Sequence, residues 1–167
     1  PPAEESDRVI IEYCCGPNSK MGQQTAQSRG CKVVRLTIER DMTTSRGLQY
    51  ALKAVADAPV GNLLLWSSIP CIGGSPWQDE NEYYYRLTGN QEGLNKLKMY
   101  WEEFAKLWAN FVIVAQEVQQ KQGIVAIEWP ERCKYWYDNR VAKFLRRATF
   151  HKSVFHGCMY GLVNRND

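Results

Sequence analysis

Cys71 has the setting most suited to chemistry. It lies in the run Ser67, Ser68, Ile69, Pro70, Cys71, Ile72, Gly73, Gly74, Ser75, Pro76, Trp77. An apolar strand leads into it, Pro70 fixes the approach of the chain, and Gly73 and Gly74 permit a tight loop. Such a thiol is a nucleophile if loop N–H groups or nearby cations lower its pKa, and an inert buried cysteine otherwise. Glu128 ends another apolar run, Ile124 to Glu128, and precedes Trp129 and Pro130. A carboxyl group there is costly to bury without a role or a partner. It is placed to donate a proton or hydrogen bond to a ligand, or to pair with Arg132. Glu12, at the end of the run Arg8 to Tyr13, is placed to hold a ligand amine or to position the loop that follows. In that loop Gly16 removes a side chain where a ligand backbone contact needs room, or simply makes a turn. Glu39 ends a third β-rich run, where an acid can bind ribose hydroxyls or remain a surface charge. His151 and His156 have neither metal nor triad spacing and read as structural or solvent-facing.

The elements that must hold these residues follow from patterning. Arg8–Tyr13, Lys32–Glu39, Asn62–Ser67 and Ile124–Glu128 are short runs rich in β-branched and apolar residues, and each reads as a strand. A helix is expected from about Lys20 to Ser28, and a second, capped by Thr43, Thr44 or Ser45, to about Ala56. Leu94, Leu97, Trp101, Phe104, Trp108, Phe111, Ala115 and Val118 alternate steps of three and four, with Asn90 as N-cap and Gly123 as stop. That is one long helix whose aromatic stripe suits a flat sheet better than a coiled-coil seam. Tyr137–Arg147 reads as a helix and Ser153–Met159 as a last strand. Strands alternating with helices imply an α/β fold, a Rossmann-like, mostly parallel sheet with helices on both faces. In such sheets ligands bind beyond the carboxyl ends of the strands. Those ends carry Tyr13 to Ser19, Glu39 to Asp41, Pro70 to Ser75 and Glu128 to Pro130.

Composition bounds the remainder. The length of 167 residues suits one domain, and 44% hydrophobic content suits a globular core. Pro1–Asp7 is polar and reads as a flexible N-terminal segment, with residues 8–167 as a single domain. Six cysteines without a CxxC pair argue against structural zinc, and no metal is expected. A reducing compartment, nucleus or cytoplasm, fits better than an oxidising one. No apolar run is long enough to span a bilayer, so no membrane partner is expected. The net charge of +3 is unevenly spread: from Glu131 onward eight Lys/Arg stand against three Asp/Glu. That stretch is either a phosphate-facing surface or a solvated helix face.

Taken in order, these strings resemble the cytosine-5 DNA methyltransferase family. Glu12-Tyr13-Cys14-Cys15-Gly16-Pro17-Asn18-Ser19 is similar to the family's DLFAGxGG loop, with Glu12 in the acidic position, Cys14 in the aromatic one and Gly16 as first glycine. Asn18 and Ser19 replace later glycines. Ser68-Ile69-Pro70-Cys71-Ile72-Gly73-Gly74-Ser75 is similar to GPPCQGFS, matching at Pro70, Cys71, Gly73 and Ser75. Ala126-Ile127-Glu128-Trp129-Pro130 is similar to LENV at Glu128. Tyr160, Gly161 and Arg165 resemble YGVPQxRxR. The resemblance implies a methyltransferase-like catalytic domain that binds S-adenosylmethionine through Glu12, Cys14, Gly16, Ser19, Pro70 and either Glu39 or Asp41. It implies that Cys71 adds to carbon-6 of a flipped-out cytosine in DNA, or in RNA, while Glu128 holds the ring edge. Ser75, Arg132 and Arg165 would serve the substrate. The family's target-recognition region has no counterpart here, so a partner chain or domain would supply it; a binding or assembly module without catalysis is the alternative.

Overall fold

The computed structural model describes residues 7–21 and 30–156. The chain divides into two compact units, Pro1–Tyr135 and Trp136–Asp167.

The first unit is built on four parallel strands, β1 (Val9–Tyr13), β2 (Lys32–Leu36), β3 (Leu63–Ser67) and β4 (Ile124–Ile127), in the order β2-β1-β3-β4. All four expected strands form, trimmed by one to three residues. β2 stops at Leu36 because Ile38–Arg40 turns into a short 3-10 helix. Ile11 lies opposite Val34 on one side and Leu65 on the other, so β1 and β3 are central. The chain leaves β1 toward β2, then crosses back to β3 on the opposite side. The carboxyl ends of β1 and β3 therefore form the switch point where this topology leaves a crevice. Ser68 N–H donates to the Tyr13 carbonyl at 3.0 Å and ties those two ends together.

The crossover after β2 is α1 (Ser45–Asp57), capped by Thr44, whose hydroxyl accepts from Gly47 N–H. Two helices join β3 to β4. α2 (Trp77–Thr88) was not expected from periodicity, and it buries none of its residues. α3 (Gln91–Gln120) is the long helix, with Asn90 as cap as its sequence requires. Its second half packs on the sheet, burying Phe104, Leu107, Trp108, Phe111, Val114, Ala115 and Val118. Tyr13 links strand to helix, its hydroxyl donating to the Leu107 carbonyl at 2.8 Å and its ring meeting Phe111 edge-on. The first half of α3 runs along α2 instead, where Gly93 leaves room for the Tyr85 ring. α1 packs against α3, so both lie on the face of the sheet that carries Val9, Ile11 and Tyr13.

In the second unit α4 (Asn139–Arg147) is capped by Asp138, which accepts from Arg140 N–H at 2.9 Å. Val141 and Phe144 are buried, and the Phe144 and Phe150 rings pack 5.5 Å apart. Ser153–His156 is exposed and forms no strand, which corrects the first part of the expected last strand. Residues 157–159 of that strand, residues 22–28 of the expected first helix, and Tyr160, Gly161 and Arg165 lie outside the described residues.

Candidate active site at the strand ends

At the end of β1 the alternation of side chains turns Glu12 away from α3, and the register sets it beside Arg35 of β2. Glu12 is only 1% exposed. Its carboxylate forms an ion pair with the Arg35 guanidinium at 3.3 Å and accepts a hydrogen bond from the Ser19 hydroxyl. Both partners belong to the sheet and the loop, so Glu12 positions the loop. Ser19 is used in the same contact. Immediately after the strand Cys14 adopts a left-handed backbone, φ 60°, a strained conformation for a residue with a Cβ. The tight turn expected at Gly16 is present as well, with Ser19 N–H donating to the Gly16 carbonyl at 3.1 Å. A Cβ at Gly16 would meet no atom within 4 Å, so the loop is open beside it. Burial pushes the Cys14 thiol up to about 12, and the nearby Cys15, Glu103 and Asp41 add to the effect. Burial, then Glu12, raises Cys15 as well.

Beyond β2 the structure separates Glu39 from Asp41. The Asp41 carboxylate accepts from the Thr43 hydroxyl at 2.6 Å and from Thr43 N–H at 3.0 Å, and these bonds hold it below the usual carboxylate range. It is committed to the turn that starts α1. Glu39 is exposed on the 3-10 turn and forms no hydrogen bond or ion pair among the described residues.

Beyond β3 the loop carrying Cys71 is built from below. Trp129 Nε1–H donates to the Ile69 carbonyl at 2.7 Å, and Lys134 N–H donates to the Gly74 carbonyl at 2.7 Å. A Cβ on Gly73 would lie 2.8 Å from the Tyr135 hydroxyl. One on Gly74 would lie 2.8 Å from Cys133 Sγ and from the Tyr135 ring. The two glycines are therefore required by packing as well as by the turn. Tyr135 stacks on Phe104 at 3.6 Å, with Trp101 and Trp129 edge-on to it. This aromatic block fixes the loop to α3. Gly73 and Gly74 direct their N–H groups at the Tyr135 hydroxyl, whose pKa burial nonetheless raises. Those loop N–H groups, one of the two means by which the sequence allows Cys71 to be activated, face Tyr135.

Cys71 itself is half-buried and free. Cys133, fully buried, lies under the same loop with its sulfur against Gly74, and is close enough to Cys71 to interact with it. Burial pushes Cys133 up to about 11, and the proximity of Cys71 and Glu128 adds to this. Cys133 thus stays protonated, with both expected catalytic side chains near enough to raise it. Glu128 follows β4, its N–H donating to the Ser67 carbonyl at 3.0 Å. It is half-buried and does not pair with Arg132 among the described residues.

Pro70 is exposed at the rim, and Ser75 is half-buried, its carbonyl accepting from Gln78 N–H at the start of α2. Arg132 is exposed. Arg165 lies outside the described residues. The structure therefore brings Cys71 and Glu128 into the neighbourhood of Cys133, and joins Glu12 directly to both Ser19 and Arg35. Arg35, Glu103, Trp129, Cys133 and Tyr135 are contributions that sequence reasoning missed. Cys133 was visible as one of six cysteines, but no spacing tied it to Cys71. Among the described residues no group of three or more His, Cys, Asp or Glu is placed to hold a metal ion. No helix of the described chain is long and apolar enough to cross a membrane. A cavity of about 450 Å³, lined by Arg8, Asn62, Leu64 and Ile124 among others, opens at the amino ends of the strands, away from this cluster.

No protein-family model, curated protein or solved structure matches the chain.

Proposed function

We propose that the strand-end cluster is the active site of a methyltransferase acting on carbon-5 of cytosine in DNA. The observation that carries this reading is that Cys71 and Glu128 follow the carboxyl ends of the adjacent parallel strands β3 and β4, both near enough to Cys133 to act on its thiol. The Cys71 sulfur adds to carbon-6 of the base, and the electron pair of the ring double bond is pushed to carbon-5. Glu128 holds the ring edge by hydrogen bonding, which orients the base and spreads the developing charge. Once carbon-5 has used that pair to take up the methyl group the cofactor would supply, solvent accepts the carbon-5 proton, the ring double bond re-forms and the Cys71 thiolate leaves.

S-adenosylmethionine would supply the methyl group. The residues at the ends of β1 and β2 fit it in part. Glu39 has an uncommitted carboxylate suited to ribose hydroxyls, and Gly16 leaves open space beside the loop. Cys14, flanked by Asp41 and Glu103, lies in acidic surroundings suited to the cationic end of the cofactor. Glu12 and Ser19 contribute by shaping the loop.

A second reading, a methyltransferase-like binding module without catalysis, is favoured by the ion pair that occupies Glu12 and by the loop N–H groups that face Tyr135. Calorimetric titration with S-adenosylmethionine separates the two. The enzyme reading expects saturable binding that Glu39→Ala weakens roughly tenfold, the equivalent of about 1.4 kcal/mol. Absence of heat in the wild-type chain would leave the module reading.

A further inference from the structure

We infer that the exposed face of α4 is an interface for the phosphate backbone of duplex DNA. Residues 136–156 contain five cations, Arg140, Lys143, Arg146, Arg147 and Lys152, against one acid, Asp138, whereas the whole chain carries only +3. All five cations are exposed. Asp138 is spent on Arg140, to which its two oxygens bond at 2.8 Å. Lys143, Arg146, Arg147 and Lys152 form no ion pair among the described residues.

The other helices treat their cations differently. Lys53 meets Asp57 on α1, Arg86 meets Glu82 on α2, and Lys98 lies beside Glu102 on α3, each four residues away along the helix. On α4 three of the four neighbours three and four residues from Lys143, Arg140, Arg146 and Arg147, are of like charge, the fourth being Asn139, and like-charge pairs destabilise an isolated helix. Val141 and Phe144 are buried on the same element, so the cations are held in a fixed array. Only the two at the carboxyl end, Arg146 and Arg147, gain from the helix dipole. A polyanion relieves the repulsion, and α4 has no exposed large apolar side chain of the kind that would insert into a lipid surface.

This inference rests on DNA being the substrate, and its test is independent of methyl transfer. Binding of a fluorescent DNA duplex to the full chain is followed by anisotropy, without S-adenosylmethionine, between about 50 and 200 mM salt. The wild type is expected to bind with a steep salt dependence. K143Q/R146Q/R147Q is expected to flatten the slope of log affinity against log salt by about 2.7, roughly 0.9 for each lost phosphate contact. Lys53→Gln, on a paired cation, is expected to leave the slope unchanged. Cys71→Ser must also keep the wild-type slope, so loss of chemistry and loss of binding are read separately. A triple variant with native circular dichroism and an unchanged slope overturns the proposal. So does tighter binding to RNA of the same sequence, or to phosphatidylserine vesicles, than to the duplex. If the triple variant does not fold, acetylation footprinting of the wild type decides: the duplex must protect Lys143, and unchanged reactivity overturns the proposal.

Discussion

Cys133 has a measurable consequence of its own. Its thiol is raised from an ordinary value of 9.0 to about 11, because burial penalises the thiolate. A group that holds its proton more tightly when folded stabilises the fold below its unfolded pKa. That contribution is lost as pH rises through the folded value. Cys14 and Cys15 are shifted in the same direction. Stability should therefore be level up to about pH 9 and fall toward pH 11. Urea midpoints at pH 8 and pH 10 test this: the fall should be smaller in Cys133→Ala, and an equal fall would place the linkage elsewhere. Glu128 was legible in the sequence because it closes an apolar run, and Cys71 because it lies in the proline-glycine loop after one, both purely local patterns. Cys133, Trp129 and Tyr135 were not. Their roles depend on which side chains the segment after β4, residues 128–135, brings against the Cys71 loop. Between Glu39 and Asp41 the sequence left a tie, which a turn bond to Thr43 resolves.

At the level of elements, the loop between β3 and α2 is held as tightly as a core. The nearest atoms to a Cβ on Gly74 belong to Cys133 and Tyr135, both buried, so neither can retreat at little cost. Gly74→Ala is expected to destabilise the chain by about 1–3 kcal/mol. Gly16→Ala, with nothing within 4 Å, should change stability by less than about 0.5 kcal/mol. Urea unfolding of both variants checks the contrast, and equal effects would refute the packing account. The strands and α3 were readable because burial on one face writes a period into the sequence. α2 was not, because it buries none of its own residues and has no apolar stripe. Its signals were at its ends: Pro76 at the start, Asp79 and Glu80 in the first turn, Arg86 in the last, and Gly89 in the left-handed conformation that stops it.

For the molecule as a whole, the parallel order β2-β1-β3-β4 gathers the ends of all four strands along one edge, whatever chemistry they carry. The α/β class was legible from alternation alone. The site's direction followed from it, since loops at that edge are where side chains from separate strands can meet. What alternation does not supply is the state of the thiol, which depends on partners more than 60 residues away in sequence. Whether Cys71 attacks a pyrimidine is therefore the question on which the functional account turns. DNA carrying 5-fluorocytosine, incubated with the chain and S-adenosylmethionine, traps such an attack, because fluorine at carbon-5 blocks release of the sulfur. A denaturation-resistant adduct should form with the wild type and be absent in Cys71→Ser. An adduct that persists in Cys71→Ser, or none in a wild-type chain that binds both ligands, would contradict Cys71 as the nucleophile.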